Sequence, residues 1–199
     1  MSKSLILASS SSSRRKILKN AGIQFIGVNP KIDEREVEKS FSISDRSNSE
    51  KIALMLAEKK ALEVGNRYPD SFVIGCDQSM SLGNSIYHKP KDMFEAEQHL
   101  LLLSGKTHRL GSAYVLTRNN IVLRRHVSVA QLTMHNFSRD FIKCYLKKVS
   151  KNALLSIGSY QIDKEGIQLF KSIRGDYFTI VGLPLIELLN DLKRERIIN

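Results

Sequence analysis

The chain has 199 residues, of which 42% are hydrophobic and 26% charged, with 31 Lys or Arg against 20 Asp or Glu. This composition excludes a disordered chain, and the length fits one domain or two small lobes that share a sheet. The apolar runs are far shorter than the about 20 residues of a membrane span, so we expect no membrane association and a cytoplasmic location. Cys76 and Cys144 show no zinc-site spacing and are expected to be reduced, partly buried thiols.

The positive charge is unevenly distributed along the chain. Between residues 101 and 151 there are ten Lys or Arg and one Asp. A field of that sign attracts polyanions, which leaves nucleic acid and a small phosphorylated substrate as two classes of partner. No GxxxxGKS, GxxxxGKT, GxGxxG or HExxH string occurs, so a P-loop ATPase or a dinucleotide enzyme is disfavoured.

The first 22 residues have the pattern of a strand, a polar turn and a helix. Leu5–Ala8 is predicted to be a buried strand, and residues 14–21 a helix that Gly22 ends. A turn between them offers free backbone N–H groups at the positive end of the helix dipole, where phosphate binds readily. Ser9, Arg14 and Arg15 could hold phosphate oxygens there, or could belong to a solvated serine-rich turn with ordinary surface arginines.

Residues 31–46 are predicted to be a surface loop that enters a helix over 49–65, with Met55 on its packed face. A strand over 72–75 follows and is predicted to end at Asp77. Ligands collect beyond strand ends in open α/β sheets, so this carboxylate could ligate Mg²⁺ or accept a proton from water, or could only cap a turn.

The rest of the chain is predicted from turn and capping signals as a series of further elements. They are a helix after Asp92 with Phe94 on its inner face, a hairpin of strands 110–117 and 120–134 around Asn119-Asn120, a helix over 138–149, a strand pair around Gly166 and Gly175 that includes the apolar run after Asp176, and a last helix from Pro184.

Seven strings in this order resemble the Maf family across almost the whole chain. They are LILASSSSSRR, IDE at 32–34, AEKKA at 57–61, VIGCDQ at 73–78, HKPKD at 88–92, LSGKTH at 103–108 and GDYFTIVGLPL at 175–185. The resemblance implies a single Maf-like domain over 1–199, an α/β fold whose two lobes share an extended, twisted mixed sheet flanked by helices, with a cleft between the lobes. It also implies a homodimer and a need for a divalent cation, Mg²⁺ or Mn²⁺.

The activity that the resemblance implies is cleavage of nucleoside triphosphates between the α and β phosphates, and the family is also associated with arrest of cell division. Carried over by position, Asp77 is the proton acceptor, and Glu34 and Asp77 are the acidic positions expected at the metal. The expected phosphate contacts are Ser9, Arg14, Arg15, Lys60 and Lys89. Taken alone, Glu34, Lys60 and Lys89 would each be read as solvated surface residues.

The substrate is expected to be 7-methyl-GTP, because Asp77-Gln78 resembles the subgroup that hydrolyses it, whereas members that prefer dTTP and UTP have threonine after the aspartate. Gln78 and Asp163 are the expected contacts to the base. Asp163 falls where this subgroup has an acidic residue, and a carboxylate can accept guanine N–H groups and attract a cationic base. Tyr160 could stack on the base or could serve packing. Ser12 and Ser13 depart from the family pattern.

Two alternatives stay open at this stage. One is a pyrophosphatase that prefers dTTP or UTP. The other is a binder without enzymatic activity, which would act on nucleic acid through the basic stretch 101–151 or on a division protein.

Overall fold

The computed structural model describes residues 4–39 and 48–199. Within these ranges seven strands form one mixed sheet: β1 Leu5–Ala8, β2 Ile26–Val28, β3 Phe72–Leu82, β4 Ser85–Tyr87, β5 Thr107–Arg118, β6 Ile121–Met134 and β7 Phe170–Arg174. The order is β2-β1-β3-β5-β6-β7, with β4 paired to β3. β1 is parallel to β2 and β3, and the other pairs are antiparallel. The predicted mixed sheet is confirmed.

Helices flank this sheet. The α-helices are α1 Ser12–Asn20, α2 Glu34–Lys39, α3 Ser49–Arg67, α4 Met93–Leu103, α5 Arg139–Val149, α6 Tyr177–Val181 and α7 Leu185–Arg194, and short 3₁₀ helices cover Ser150–Leu155, Ile157–Ser159 and Glu165–Leu169. Among the described residues, no helix combines the length and the apolarity that a membrane crossing requires. α2 begins inside the segment predicted as a loop; residues 40–46 of that prediction lie outside the described residues.

Two hydrophobic cores share the long strands β3 and β5. In the first lobe α1, β1 and α7 pack on Phe72 and Ile74 of β3 and on Leu116 of β5. In the second lobe α4, α5, β6 and β7 pack on Met80 of β3 and Leu110 of β5. Each long strand therefore runs from one core into the other, and this gives the two-lobed arrangement that was predicted.

Helix α3 lies unusually close to β3 because both surfaces carry small residues. A Cβ atom at Gly75 would lie 2.1 Å from Ala57 O and 2.5 Å from Ala61 N, so only glycine permits this approach. The packed face of α3 includes three alanines, Ala53, Ala57 and Ala61. Met55, predicted to pack, is exposed instead. The close approach buries Lys60 against the sheet.

The prediction that Asp77 ends a strand is wrong. β3 continues to Leu82, held by antiparallel pairing with β5, while the parallel partner β1 stops at Ala8 opposite Gly75. Asp77 therefore lies inside β3, two residues past the end of its parallel neighbour. The carboxyl end of β1, rather than that of β3, opens the site.

Other local predictions are also corrected. The run Tyr177–Val181 is a helix rather than a strand, because Asp176 caps it by accepting a hydrogen bond from the Thr179 N–H at 2.9 Å. Gly166 lies in a 3₁₀ helix, so β7 has no partner strand there. The inner face of α4 excludes Phe94, which is exposed. Among the cysteines, Cys76 is buried and Cys144 exposed.

Candidate active site

A cavity of about 560 Å³ opens between the two lobes. One wall is formed by Ser9–Ser13, at the amino end of α1, together with α3 and the middle of β3, and the opposite wall by the segment 155–163. The cavity collects eight of the nine predicted site residues: Ser9, Arg14, Glu34, Lys60, Asp77, Gln78, Lys89 and Asp163. Positions spread over 155 residues of sequence thus converge on one cleft.

The centre of the first wall is an ammonium group between two carboxylates. Lys60 Nζ forms an ion pair with Asp77 Oδ1 and another with Glu34 Oε1 at 2.6 Å. Lys60 and Asp77 are buried, whereas the side chain of Glu34 is 53% exposed. A buried ammonium needs such partners, since an unpaired charge in the interior is strongly unfavourable.

The site shifts the pKa values of the two carboxylates in opposite directions. Burial raises the pKa of the Asp77 carboxyl above its ordinary value, although Lys60 and Arg14 act to lower it. Burial also acts to raise the pKa of the Glu34 carboxyl, but the Lys60 ammonium outweighs burial, so this pKa is lowered. For the Lys60 ammonium, Asp77 and Glu34 overcome burial, so its pKa is raised and it stays charged. Burial therefore makes Asp77 a stronger base than an ordinary aspartate, whereas Lys60 makes Glu34 a weaker base than an ordinary glutamate.

Arg14 is fixed at the floor of the cavity by backbone carbonyls. Its Nε donates to Gly182 O at 2.7 Å and its Nη1 to Cys76 O at 3.0 Å. The hydroxyl of Ser9 lies 3.5 Å from Nη1 and accepts from the Ser11 N–H at 3.2 Å. A buried guanidinium and the first turn of a helix therefore lie together, which is a favourable arrangement for binding phosphate.

Arg15, the remaining expected phosphate contact, does not line this cavity. Its Nε and Nη2 donate to Ser9 O at 3.1 and 2.8 Å, and Nη2 also donates to Asn29 Oδ1 at 2.7 Å. These bonds support the Ser9 loop from behind. Lys89, in contrast, is exposed and lines the cavity.

The opposite wall is mostly apolar and carries one acidic group. Ile157 and Ile162 are half-buried, and Asp163 is exposed to the cavity. Gln78 of β3 also lines the cavity, and its Nε2 is held by β5 and α6, where it donates to Ser112 Oγ at 2.9 Å and to Thr179 O at 3.0 Å. The prediction that Gln78 contacts a base therefore concerns its carbonyl oxygen.

Two residues that line the cavity were missed by the sequence analysis. His88 Nε2 lies 3.7 Å from Glu38 Oε2, which brings α2 next to the loop after β4. Burial raises the pKa of the Glu38 carboxyl, although His88 acts to lower it. Glu38 lies in a highly charged segment with no distinguishing pattern, but His88 adjoins Lys89 in the HKPKD string and could have been noted.

The fold and the cavity define an α/β protein whose cleft combines basic side chains, the amino end of a helix and a buried carboxylate. The chain belongs to the Maf-like protein family, whose model matches residues 4–195. It is 50% identical over 199 residues to "7-methyl-GTP pyrophosphatase" of Brucella abortus, covering 100% of both chains. It is 42% identical over 197 residues to "Nucleoside triphosphate pyrophosphatase" of Rhodopseudomonas palustris, covering 99% of this chain and 96% of that one.

A solved structure, "Structure of a HAM1 protein from Coxiella burnetii", is 14% identical, with a TM-score of 0.38, covering 66% of this chain and 73% of that chain.

Proposed function

We propose that this protein is a nucleoside triphosphate pyrophosphatase that acts on a modified nucleotide, 7-methyl-GTP, and releases the monophosphate and pyrophosphate. The names of the relatives support both the reaction and the substrate, at about half identity over the full length. The observation that carries the proposal is the buried Lys60–Asp77 pair beside Arg14 and the amino end of α1, in one cavity large enough for a nucleotide.

The chemistry requires a base, a water and neutralisation of charge. A nucleoside triphosphate carries about four negative charges, which must be offset before a nucleophile approaches phosphorus. Asp77 accepts a proton from water as the water oxygen bonds to the α phosphorus. The bond between the α phosphorus and the oxygen shared with the β phosphorus breaks, and pyrophosphate leaves with that oxygen. Arg14, Lys60 and Lys89 stabilise the charge that develops on the leaving group.

A divalent cation fits the site as a companion of the nucleotide. Within residues 4–39 and 48–199 no cluster of three or more His, Cys, Asp or Glu side chains could hold a metal alone. Glu34 and Asp77 nevertheless lie close together, because one oxygen of each carboxylate contacts the same Lys60 ammonium. Mg²⁺ commonly binds through one or two carboxylates plus substrate phosphates, so these two side chains would hold Mg²⁺ or Mn²⁺, which would offset phosphate charge.

The base of the nucleotide is placed by this proposal against the segment 155–163. Asp163 would accept from guanine N–H groups and attract the cationic methylated ring, and Gln78 would offer its carbonyl oxygen. A preference for dTTP or UTP is the alternative that the substrate panel below tests. The family resemblance further supports a cytoplasmic homodimer and a link to septum formation as parts of the proposal.

The rival of a nucleic-acid or division-protein binder receives less support from the structure than from the sequence. Four arginines of the basic stretch form ion pairs with glutamates from other segments, so part of its charge is neutralised. The pairs are Arg109–Glu50, Arg124–Glu195, Arg125–Glu58 and Arg139–Glu97. Pyrophosphatase activity is therefore preferred over a purely binding function.

The test is release of phosphate, after addition of inorganic pyrophosphatase, from a panel of canonical and modified triphosphates with Mg²⁺ or Mn²⁺. We expect the highest kcat/KM for 7-methyl-GTP, and a loss of about 10²- to 10⁴-fold in Asp77→Asn, the range of general-base catalysis. Asp191→Asn is the matched control, because Asp191 is also buried but bonds Tyr114 outside the cavity. No turnover by the parent, or full activity of Asp77→Asn, would reject the proposal.

A further inference from the structure

A buried histidine lies behind the apolar wall of the cavity. His108 of β5 is fully buried, and its Nε2 lies 2.7 Å from Tyr160 Oη. Its other ring nitrogen, Nδ1, has no hydrogen-bond partner among the described residues. Burial lowers the pKa of this imidazole to about 4, so the ring is neutral at pH 7. A polar ring in the interior thus depends on one hydrogen bond, to a residue that lines the cavity.

Tyr160 organises the segment on which it lies. Its ring packs edge-on against Phe170 at 4.9 Å, and its carbonyl oxygen accepts from Ser156 Oγ at 2.5 Å. Gly158 has φ +78°, and a Cβ atom there would lie 2.6 Å from the tyrosine ring and 3.1 Å from Met80 Sδ. The chain before Tyr160 therefore folds tightly around the ring, and any shift of the ring displaces its neighbours.

The ring is not available for stacking on a nucleobase. Tyr160 is only 5% exposed, and its faces and edge meet His108 and Phe170. The contribution of Tyr160 to binding must therefore come from fixing the segment to which it belongs, in which Ile162 and Asp163 follow it along the chain and line the cavity. Of the two sequence-based readings of Tyr160, packing is the one that the geometry favours.

We propose that His108 and Tyr160 are a positioning pair for substrate selection. Their hydrogen bond fixes the segment 155–163, called the base-side segment because the base is proposed to lie against it, relative to β3, the strand that carries Asp77. β5 bears His108 and pairs directly with β3, where Ala113 lies opposite Asp77. The bond therefore attaches the base-side wall to the same sheet as the catalytic carboxylate. The inference rests on the proposed function and adds two residues that need not touch the substrate.

The test is steady-state kinetics of Tyr160→Phe with 7-methyl-GTP and with GTP. The phenyl ring keeps the packing and loses the bond to His108. We expect KM for 7-methyl-GTP to rise roughly three- to tenfold, the factor that corresponds to one hydrogen bond, with kcat within about twofold and weaker discrimination against GTP. Tyr114→Phe is the matched control, since it loses a buried bond to Asp191 in the first lobe and should keep the parent KM.

If Tyr160→Phe does not melt cooperatively and is therefore not properly folded, a second pair of variants tests the positioning role of the hydrogen bond. The amide of His108→Gln reaches the position of Nε2 and should keep KM near the parent value, whereas the shorter His108→Asn should raise it. Equal KM values for the two variants, or an unchanged KM in folded Tyr160→Phe while the parent is active, would overturn the inference alone. A parent inactive on every nucleotide would reject the proposed function and this inference with it.

Discussion

The two walls of the cavity are built from different interactions. On the catalytic wall, formed by Glu34, Lys60 and Asp77, opposite charges meet within the protein. On the base-side wall, formed by residues 155–163, the supporting contacts are a neutral histidine, a phenol and close packing. Charge pairs act strongly on phosphate and on the proton of water, whereas neutral contacts fix shape. We therefore expect damage to the first wall to reduce rate, and damage to the second to reduce selectivity.

After the loss of Asp77 described above, removal of the central charge should give the largest effect on the catalytic wall. In Lys60→Met, Asp77 and Glu34 lose their common partner and the leaving group loses a cation. We expect kcat/KM to fall about 10²- to 10³-fold, as for loss of one transition-state stabilising group. The melting temperature should also fall, because a buried carboxylate is left without its counter-ion.

Lys59→Met is the matched control for this variant. Lys59 is the neighbouring residue of α3 and is exposed. Its loss should leave both kcat/KM and the melting temperature near the parent values. An active Lys60→Met enzyme, or an equal loss in Lys59→Met, would contradict the assignment of Lys60 to the catalytic wall.

The catalytic wall was more predictable from sequence than its counterpart. Leu5–Ala8, the serine turn and α1 follow local rules of strand, cap and helix, and the family strings marked Asp77 and Lys60 in advance. That Lys60 is buried could not be foreseen, because it depends on the contact of Gly75 with α3, and these segments are separate in sequence. The extension of β3 past Asp77 was missed for the same reason, since pairing with β5 decides it.

The base-side wall and the neighbouring helix α6 show where local sequence patterns are insufficient to predict structure. The β-branched run after Asp176 favours a strand by propensity, but the cap at Asp176 and the left-handed Gly182 enclose it as a short helix. His108 and Tyr160 are 52 residues apart, and neither has a neighbour in sequence that indicates the other. A tertiary hydrogen bond of this kind becomes visible only in the folded chain.

Lowering the pH should reduce the stability of the protein through His108 in the second lobe. This prediction tests whether the base-side wall depends on a neutral group, in contrast to the charged catalytic wall. The pKa of His108 is about 4 in the folded protein and about 6.5 in the unfolded chain. As pH falls below about 6.5, the unfolded chain binds a proton that the folded protein does not. Stability is therefore lost between about pH 6.5 and pH 4, by about 2 kcal/mol at pH 5 relative to pH 7.5.

The measurement is urea unfolding of the parent and of His108→Gln at pH 7.5 and pH 5. Glutamine does not titrate, so the stability of the variant should depend less on pH, by about the same 2 kcal/mol. Other groups titrate in both proteins and cancel in the difference. Parallel pH dependences for the two proteins would show that His108 takes up a proton in the folded state as easily as in the unfolded chain.

The smallest effect is expected from Asp163, the acidic residue of the base-side wall that lines the cavity. Asp163→Asn keeps the shape of the side chain and removes its charge. Attraction to a cationic methylated base is then lost, whereas GTP, whose guanine is uncharged, should be little affected. The ratio of kcat/KM for 7-methyl-GTP over GTP should fall roughly 1.5- to fivefold, as for an exposed charge that water screens. Asp70→Asn, exposed and outside the cavity, should leave the ratio unchanged. If Asp163→Asn lowered both kcat/KM values equally, Asp163 would contribute to binding in general, and selectivity would have to come from the shape of the wall that Tyr160 holds.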